Sequence, residues 1–168
     1  MEKTAVQPPS YRPGDMGPAG GIVFYDRGFT GEDGWRYLEA APAGTEVTAL
    51  WGPDTKITGT EVKVGSGRRN TQLIVAALGG DGKAAQLCND LNINGYNDWF
   101  LPSKDELDVI HNALRQRGLG GFLSGEYWSS SQNAFYGNRA WSLHFRGGSR
   151  SNCTDKSNTY LVRAIRAF

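Results

Sequence analysis

Residues 127–168 read YWSSSQNAFYGNRAWSLHFRGGSRSNCTDKSNTYLVRAIRAF. Two kinds of position are interleaved in them. Tyr127-Trp128, the series Trp141, Leu143, Phe145, and the closing run from Leu161 to Arg166 have the spacing of half-buried strands, in which successive side chains point to opposite faces. Between and opposite these stand Phe135, Tyr136, Asn138, Arg139, Ser142, His144, Arg146, Ser149, Arg150, Ser151, Asn152, Thr154 and Asp155. This second set follows no period and has the composition of an antibody loop: aromatics, Ser, Asn, Gly and Arg. The expectation is a β framework holding Trp141, Leu143 and Phe145 inward, with Ser142, His144 and Arg146 outward.

The whole chain has 168 residues, enough for one domain with its own core. Its 23 glycines, five tryptophans and 21% charged residues suit a loop-rich β or α+β domain better than a helical bundle. No apolar run reaches the length of a membrane span, and no signal-peptide pattern opens the chain. Residues 1–16 read as an extended, Pro-bearing lead-in and 17–168 as a single domain. The net charge of +1 hides an asymmetry. From Tyr127 onward six basic residues face one acid, Asp155, a net of +5, so the preceding 126 residues carry −4. A basic segment points to an anionic partner. Arg163 and Arg166 fall inside an apolar strand pattern, where internal ion pairs are the alternative role.

Ahead of that segment, GPAGGIVFYDRG (17–28) predicts a strand at Ile22–Tyr25 and WRYLEAAP (35–42) a second, the two forming a hairpin. Residues 43–69 read as irregular, with Trp51 as an anchor. A short helix capped by Asn70 or Thr71 runs through Leu78 and stops at Gly79-Gly80. A second runs from about Gly82 to Leu91, with Ala84, Leu87, Cys88 and Leu91 on one face. In GYNDWFLPSKDEL (95–107), Ser103 and Glu106 form a capping box. Leu107, Ile110 and Leu114 then line a third helix that Gly118 ends. Hairpin, helices, then strands make an α+β fold of antiparallel strands with two to three helices.

Chemistry-bearing clusters are few. Cys88 lies on an apolar stripe and reads as a small buried hydrophobe; Cys153 lies in a polar loop, and the spacing of the two gives a disulfide no support. His144 as a base or metal ligand would need partners, but the other histidine is His111 on a helix and no His/Cys/Asp cluster has ligand spacing. It reads as a binding-face or inert residue. GSGRRN (65–70) precedes a helix N-terminus as an anion site would, yet lacks the Lys-Ser/Thr ending and reads as a turn with solvated arginines. Asp98, Asp105 and Glu106 lack the spacing of a calcium loop. No catalytic residue, metal site, cofactor or nucleic-acid partner is expected.

In order along the chain, GPAGGIVFYD, WRYLEAAP, GYNDWFLPSKDEL, YWSSS, AWSLHF and VRAIRAF resemble bacterial, phage and archaeal domains with a C-type-lectin-like fold of the formylglycine-generating-enzyme type. Within that group the chain is similar to the variable proteins of diversity-generating retroelements, from about Gly17 to Phe168. The resemblance implies that a reverse transcriptase returns an adenine-randomised template to the end of the gene. Asparagine codons of the template then become other residues, but never Lys, Glu, Gln, Met or Trp. Between Asn133 and Tyr160 only Trp141 and Lys156 belong to those types. By the resemblance the framework is Trp128, Ala140, Trp141, Leu143, Phe145, Gly148, Lys156, Thr159, Val162, Arg163, Ala164 and Arg166. The diversified, ligand-facing set lies in a variable region of about 133–168. It comprises Ala134, Phe135, Tyr136, Gly137, Asn138, Arg139, Ser142, His144, Arg146, Ser149, Arg150, Ser151, Asn152, Cys153, Thr154, Asp155, Ser157, Asn158 and Tyr160.

The function expected from this is ligand recognition without catalysis, by a diversified site on a rigid scaffold displayed on a cell surface or virion. A protein surface is the first partner expected. Related domains in bacterial collagen-like adhesins leave a second class open: an adhesin that binds sulfated polysaccharide through the basic C-terminal segment. A third, an oxidase of the formylglycine-generating type, needs paired active-site cysteines, for which Cys88 on its apolar stripe is a poor candidate.

Overall fold

Ser103 starts α3 (Lys104–Ala113) with both halves of the capping box formed. Glu106 N donates to Ser103 Oγ at 3.2 Å, and Ser103 N donates to Glu106 Oε2 at 2.6 Å. Leu107, Ile110 and Leu114 turn into the core, and Gly118, at φ 69°, closes the turn after the helix in the left-handed region. This computed structural model describes residues 8–146 and 150–168. The Glu106 carboxyl is buried and also accepts from Gly65 N at 2.8 Å and Gly67 N at 3.4 Å, tying α3 to the start of α1 (Gly67–Leu78). Burial pushes this carboxyl up to about 7 against the pull of those N–H donors. The GSGRRN turn is thus filled by a carboxylate of the chain itself.

Two helical expectations need correction. Asn70 and Thr71 do not cap α1; both are buried inside it. Asn70 brackets the backbone of Glu61, accepting from its N–H at 2.9 Å and donating to its C=O at 2.7 Å, and Thr71 Oγ1 accepts from Leu101 N at 3.0 Å. In α2 (Lys83–Asn89) the buried face is Ala84, Ala85 and Cys88, while Leu87 is left exposed. The stripe is turned by one position: Ala85, not Leu87, joins Ala84 and Cys88 in the core cluster around Trp51 and Ile74.

Two sheets carry the rest. The smaller, in order β1-β2-β8, joins β1 (Ile22–Asp26), β2 (Tyr37–Ala40) and β8 (Ile165–Ala167) antiparallel. The glycines of residues 17–21 are needed because this loop wraps the buried Glu39 carboxylate, which accepts from Ala19 N and Gly21 N. A Cβ at Gly17 would lie 2.3 Å from Glu39 Cδ. Part of the lead-in docks here: Tyr11 meets Tyr37 and Phe168 edge-on. Residues 1–7 lie outside the described chain.

The larger sheet has the order β3-β7-β4-β5-β6: β3 (Val47–Leu50), β4 (Glu126–Gln132), β5 (Arg139–His144), β6 (Arg150–Asp155) and β7 (Thr159–Val162). All pairings are antiparallel except β4 with β7. β3 falls in the stretch read as irregular; three of its four residues are exposed, so no alternation marks it. Trp51, Ile74, Trp128 and Val162 centre one core cluster; Phe24, Leu107, Tyr127, Leu143 and Phe145 centre the other. The architecture is α+β. No helix among the described residues is long and apolar enough to cross a membrane.

Three cations are buried with partners. Arg163 donates to Glu46 Oε2 at 2.9 Å, Ala41 O at 2.9 Å and Gly120 O at 3.0 Å. Arg166 bridges Asp98 at 2.8 Å and Glu39 at 3.2 Å. Lys156 donates to Thr55 O at 2.7 Å and Gln132 Oε1 at 2.9 Å beneath the Trp51 ring. Arg163 and Arg166 are therefore internal ion-pair partners and add nothing to an exposed basic face.

Candidate functional site

The β4–β5 connection is built on Asn133. This residue is buried, and its Oδ1 accepts from Phe135 N at 2.8 Å and Tyr136 N at 3.0 Å, the turn geometry Asn favours. Its effect is to throw Phe135 and Tyr136 outward, 86% and 59% exposed. Arg139 lies over the Tyr136 ring and pairs with Asp155 at 3.4 Å, which also accepts from Asn138 Nδ2 at 3.2 Å. Ala134 is exposed. Gly137 is half-buried, and a Cβ there would stand 3.1 Å from Lys56 Cβ, which leaves little room for a larger residue.

The register of β5 with β6 sorts the remaining positions. Ser142 faces Asn152, Ala140 faces Thr154 and His144 faces Arg150; all of these share one side of the sheet with Glu126. Trp141 faces Cys153 and Leu143 faces Ser151 on the other side. Because β6 ends the sheet beyond the core, its side chains are exposed or half-exposed on both sides: Arg150, Ser151 and Asp155 exposed, Asn152, Cys153 and Thr154 partly covered. Arg146 and Ser157 are exposed, Asn158 is half-buried, and Ser149 and Gly148 lie outside the described residues.

Three expected placements are corrected. Ser142 is on the predicted side but fully buried, because Glu126 and Thr154 on the flanking strands both hydrogen-bond its hydroxyl and seal it. Tyr160 is half-buried, packed against Trp128 with the two rings tilted and their centroids 4.6 Å apart. Trp141 is not a core residue. It is half-buried and helps to line a groove of about 500 Å³ with Phe135, Gln132, Thr60 and Val62. Trp128, Leu143, Phe145, Val162, Arg163 and Arg166 are buried. Sequence reasoning missed Glu126, whose Oε1 accepts from Ser142 and from Asn152 Nδ2, and the 60–63 wall of the groove. The wall has no periodicity that could have marked it.

Cys88 and Cys153 are both free thiols, and burial pushes the Cys88 thiol well above its ordinary range. Among the described residues no group of three or more His, Cys, Asp or Glu side chains is arranged to hold a metal ion. The face can therefore offer aromatic area, charge and hydrogen bonds, from residues that mostly contribute little to the packing beneath.

The fold is similar to that of a fimbrial protein from Bacteroides ovatus ATCC 8483, with a TM-score of 0.58 and 14% sequence identity. That match covers 81% of this chain and 37% of the fimbrial protein, so the chain spans well under half of its length. Among curated proteins, none matches. The model of the Lcl C-terminal domain matches residues 40–166, which takes in the larger sheet and the helices, and of the smaller sheet only Ala40, Ile165 and Arg166. By that match the chain belongs to the Lcl C-terminal domain family.

Proposed function

We propose that the chain is a non-enzymatic recognition domain, the variable protein of a diversity-generating retroelement on a C-type-lectin-like scaffold of the formylglycine-generating-enzyme type. The face formed by the 133–138 turn, β5 and β6 binds a macromolecule, a protein surface in the first instance. The observation that carries this reading is the Asn133 turn, which spends a buried amide to hold Phe135 out in water beside an apolar groove. Membership of the Lcl C-terminal domain family and the likeness to a fimbrial protein's fold support display on a cell surface or virion. A template repeat beside a reverse transcriptase gene, with adenines at the codons of residues 134–160, is the expected genomic companion.

The test is the combined variant Phe135→Ala, Tyr136→Ala, Arg146→Ala, compared with the unaltered chain on an array of cell-surface proteins and in thermal unfolding. Signals on the array should vanish, while stability changes by less than about 1 kcal/mol, since none of the three sits in the core. Unfolding of the variant would place these residues in the framework and remove them from the site.

A second reading, a sulfated-polysaccharide adhesin, is favoured by Arg146 and Arg150, which are exposed and have no carboxylate in ion-pair reach among the described residues. Heparin binding that collapses as salt rises would support it; retention indifferent to salt would exclude it. The oxidase reading requires two cooperating thiols, and a Cys88→Ser, Cys153→Ser chain that keeps its binding would dismiss it.

A further inference from the structure

The two sheets have four edges, and three of them are covered or flanked. Along β1, Gly14 N donates to Val23 O and Val23 N to Asp15 O. Phe100 closes β8 by exchanging both backbone bonds with Ile165, at 2.8 and 2.9 Å. β3 runs beside α2. β3 and β6 both lack a backbone partner beyond their sheet neighbour among the described residues, but of the two only β3 has a helix packed beside it.

Which of the β6 groups face outward follows from the register. Lys156 N donates to Asn138 O at 3.0 Å, which makes Arg139 and Asp155 a non-hydrogen-bonded pair. Arg150, Asn152 and Thr154 therefore turn their N–H and C=O toward β5, and Ser151, Cys153 and Asp155 turn theirs away. Asp155 O is taken by Asn158 N at 3.1 Å. That leaves the N–H and C=O of Ser151 and Cys153 and the N–H of Asp155 along an edge of roughly 13 Å. Natural sheets guard such an edge with proline, lysine or a bulge. Ser151–Thr154 contains no guard residue, and the pairing with β5 is unbroken from Arg139–Asp155 to His144–Arg150.

We propose that the free edge of β6 is a strand-addition site, which takes an extended segment of a partner protein as a further strand of the larger sheet. This rests on the binding reading above and specifies how the partner is held. Only a polypeptide repeats donors and acceptors at the spacing this edge presents; a polysaccharide does not. Main-chain bonds do not depend on side-chain identity, so the attachment survives when Ser151, Asn152, Cys153 and Thr154 are changed, while their side chains, open on both sides, set the specificity. Arg146 and Arg150 stand at one end of the edge without a carboxylate in ion-pair reach among the described residues, so the added strand is acidic at that end.

The experiment selects acid-biased random peptides of about ten residues, near the upper length of ordinary strands, displayed on phage against the intact chain. The selected peptides are then resynthesised with one N-methyl group at each amide in turn. Strand addition predicts that binders emerge and that every second N-methyl group lowers affinity by about tenfold, the scale of one lost hydrogen bond. It also predicts a similar loss with Cys153→Pro but not Cys153→Val. Proline at 153 removes an N–H that β5 does not use, as edge strands tolerate; should that variant fail to fold, the alternating pattern on the unaltered chain decides. Peptides indifferent to N-methyl position and to Cys153→Pro, yet lost on Phe135→Ala, Tyr136→Ala, Arg146→Ala, would overturn strand addition and leave the binding face standing. Peptides indifferent to every variant would overturn both. No binder at all, or a chain that pairs with itself through β6 until Cys153→Pro separates it, would also overturn the proposal.

Discussion

Arg163 is shut off from solvent, yet every direction in which its guanidinium points is answered: Glu46 on one side, the carbonyls of Ala41, Gly120 and Gly121 on others, and the Phe122 ring beneath. A buried ion pair is held together by such completeness and is costly when one member goes. Arg163→Met should lower stability by about 3–5 kcal/mol in denaturant unfolding, because the buried Glu46 carboxylate loses its cation, keeping only the Tyr127 hydroxyl as donor, and three carbonyls lose theirs. Lys156 makes a pH-dependent contribution. Burial pulls its ammonium down to about 8 from the ordinary lysine value of 10.5. Below about 8 both folded and unfolded chains carry the charge, and the folded state bears the whole desolvation cost. Between about 8 and 10.5 the folded chain has released its proton and the unfolded chain has not, so the cost is progressively lifted as pH rises. Unfolding midpoints measured from pH 7 to 10 should therefore show the unaltered chain gaining on Lys156→Met with rising pH; a constant difference would mean that the ammonium is not destabilised by burial.

Among the elements, β5 shows how far a period-2 reading reaches. The alternation in AWSLHF assigns sides correctly, since Ser142 and His144 do lie opposite Leu143. It cannot assign depth, which depends on what the neighbouring strands bring: Glu126 and Thr154 seal Ser142, while His144, one step nearer the end of β5, is half-exposed. Ser142→Leu should accordingly cost about 1–3 kcal/mol through overpacking. His144→Leu should stay within about 0.5 kcal/mol. Equal effects in thermal unfolding would show that the two positions are not distinguished by burial. The same limit explains what was legible elsewhere. The capping box at Ser103 and Glu106 is a local device and could be read directly. The β3 strand and the 60–63 wall are set by distant partners and carried no local signal. Asn70 and Thr71 looked like caps because their side chains do satisfy backbone groups, but those groups belong to Glu61 and Leu101, not to the first turn of α1.

Across the molecule, the chain separates two tasks that share one stretch of sequence. Buried aromatics, paired cations and the Glu39 and Glu106 carboxylates fix the scaffold. The 133–138 turn, the Arg146 end of β5 and the whole of β6 project from it with few internal obligations, and they lie within the match to the Lcl C-terminal domain. A scaffold of this kind tolerates replacement of its outward residues because specificity and packing depend on different atoms. The most direct test is a library in which residues 134–136, 138, 139, 144, 146, 150 and 152 are randomised together, with the thermal midpoint of each member measured. Midpoints clustered within about 4 °C of the unaltered chain, the upper end of the shift expected for about 1 kcal/mol in a domain of this size, are the predicted result. A library in which most members fail to unfold cooperatively, or melt far lower, would show that these residues hold the fold and would contradict the account.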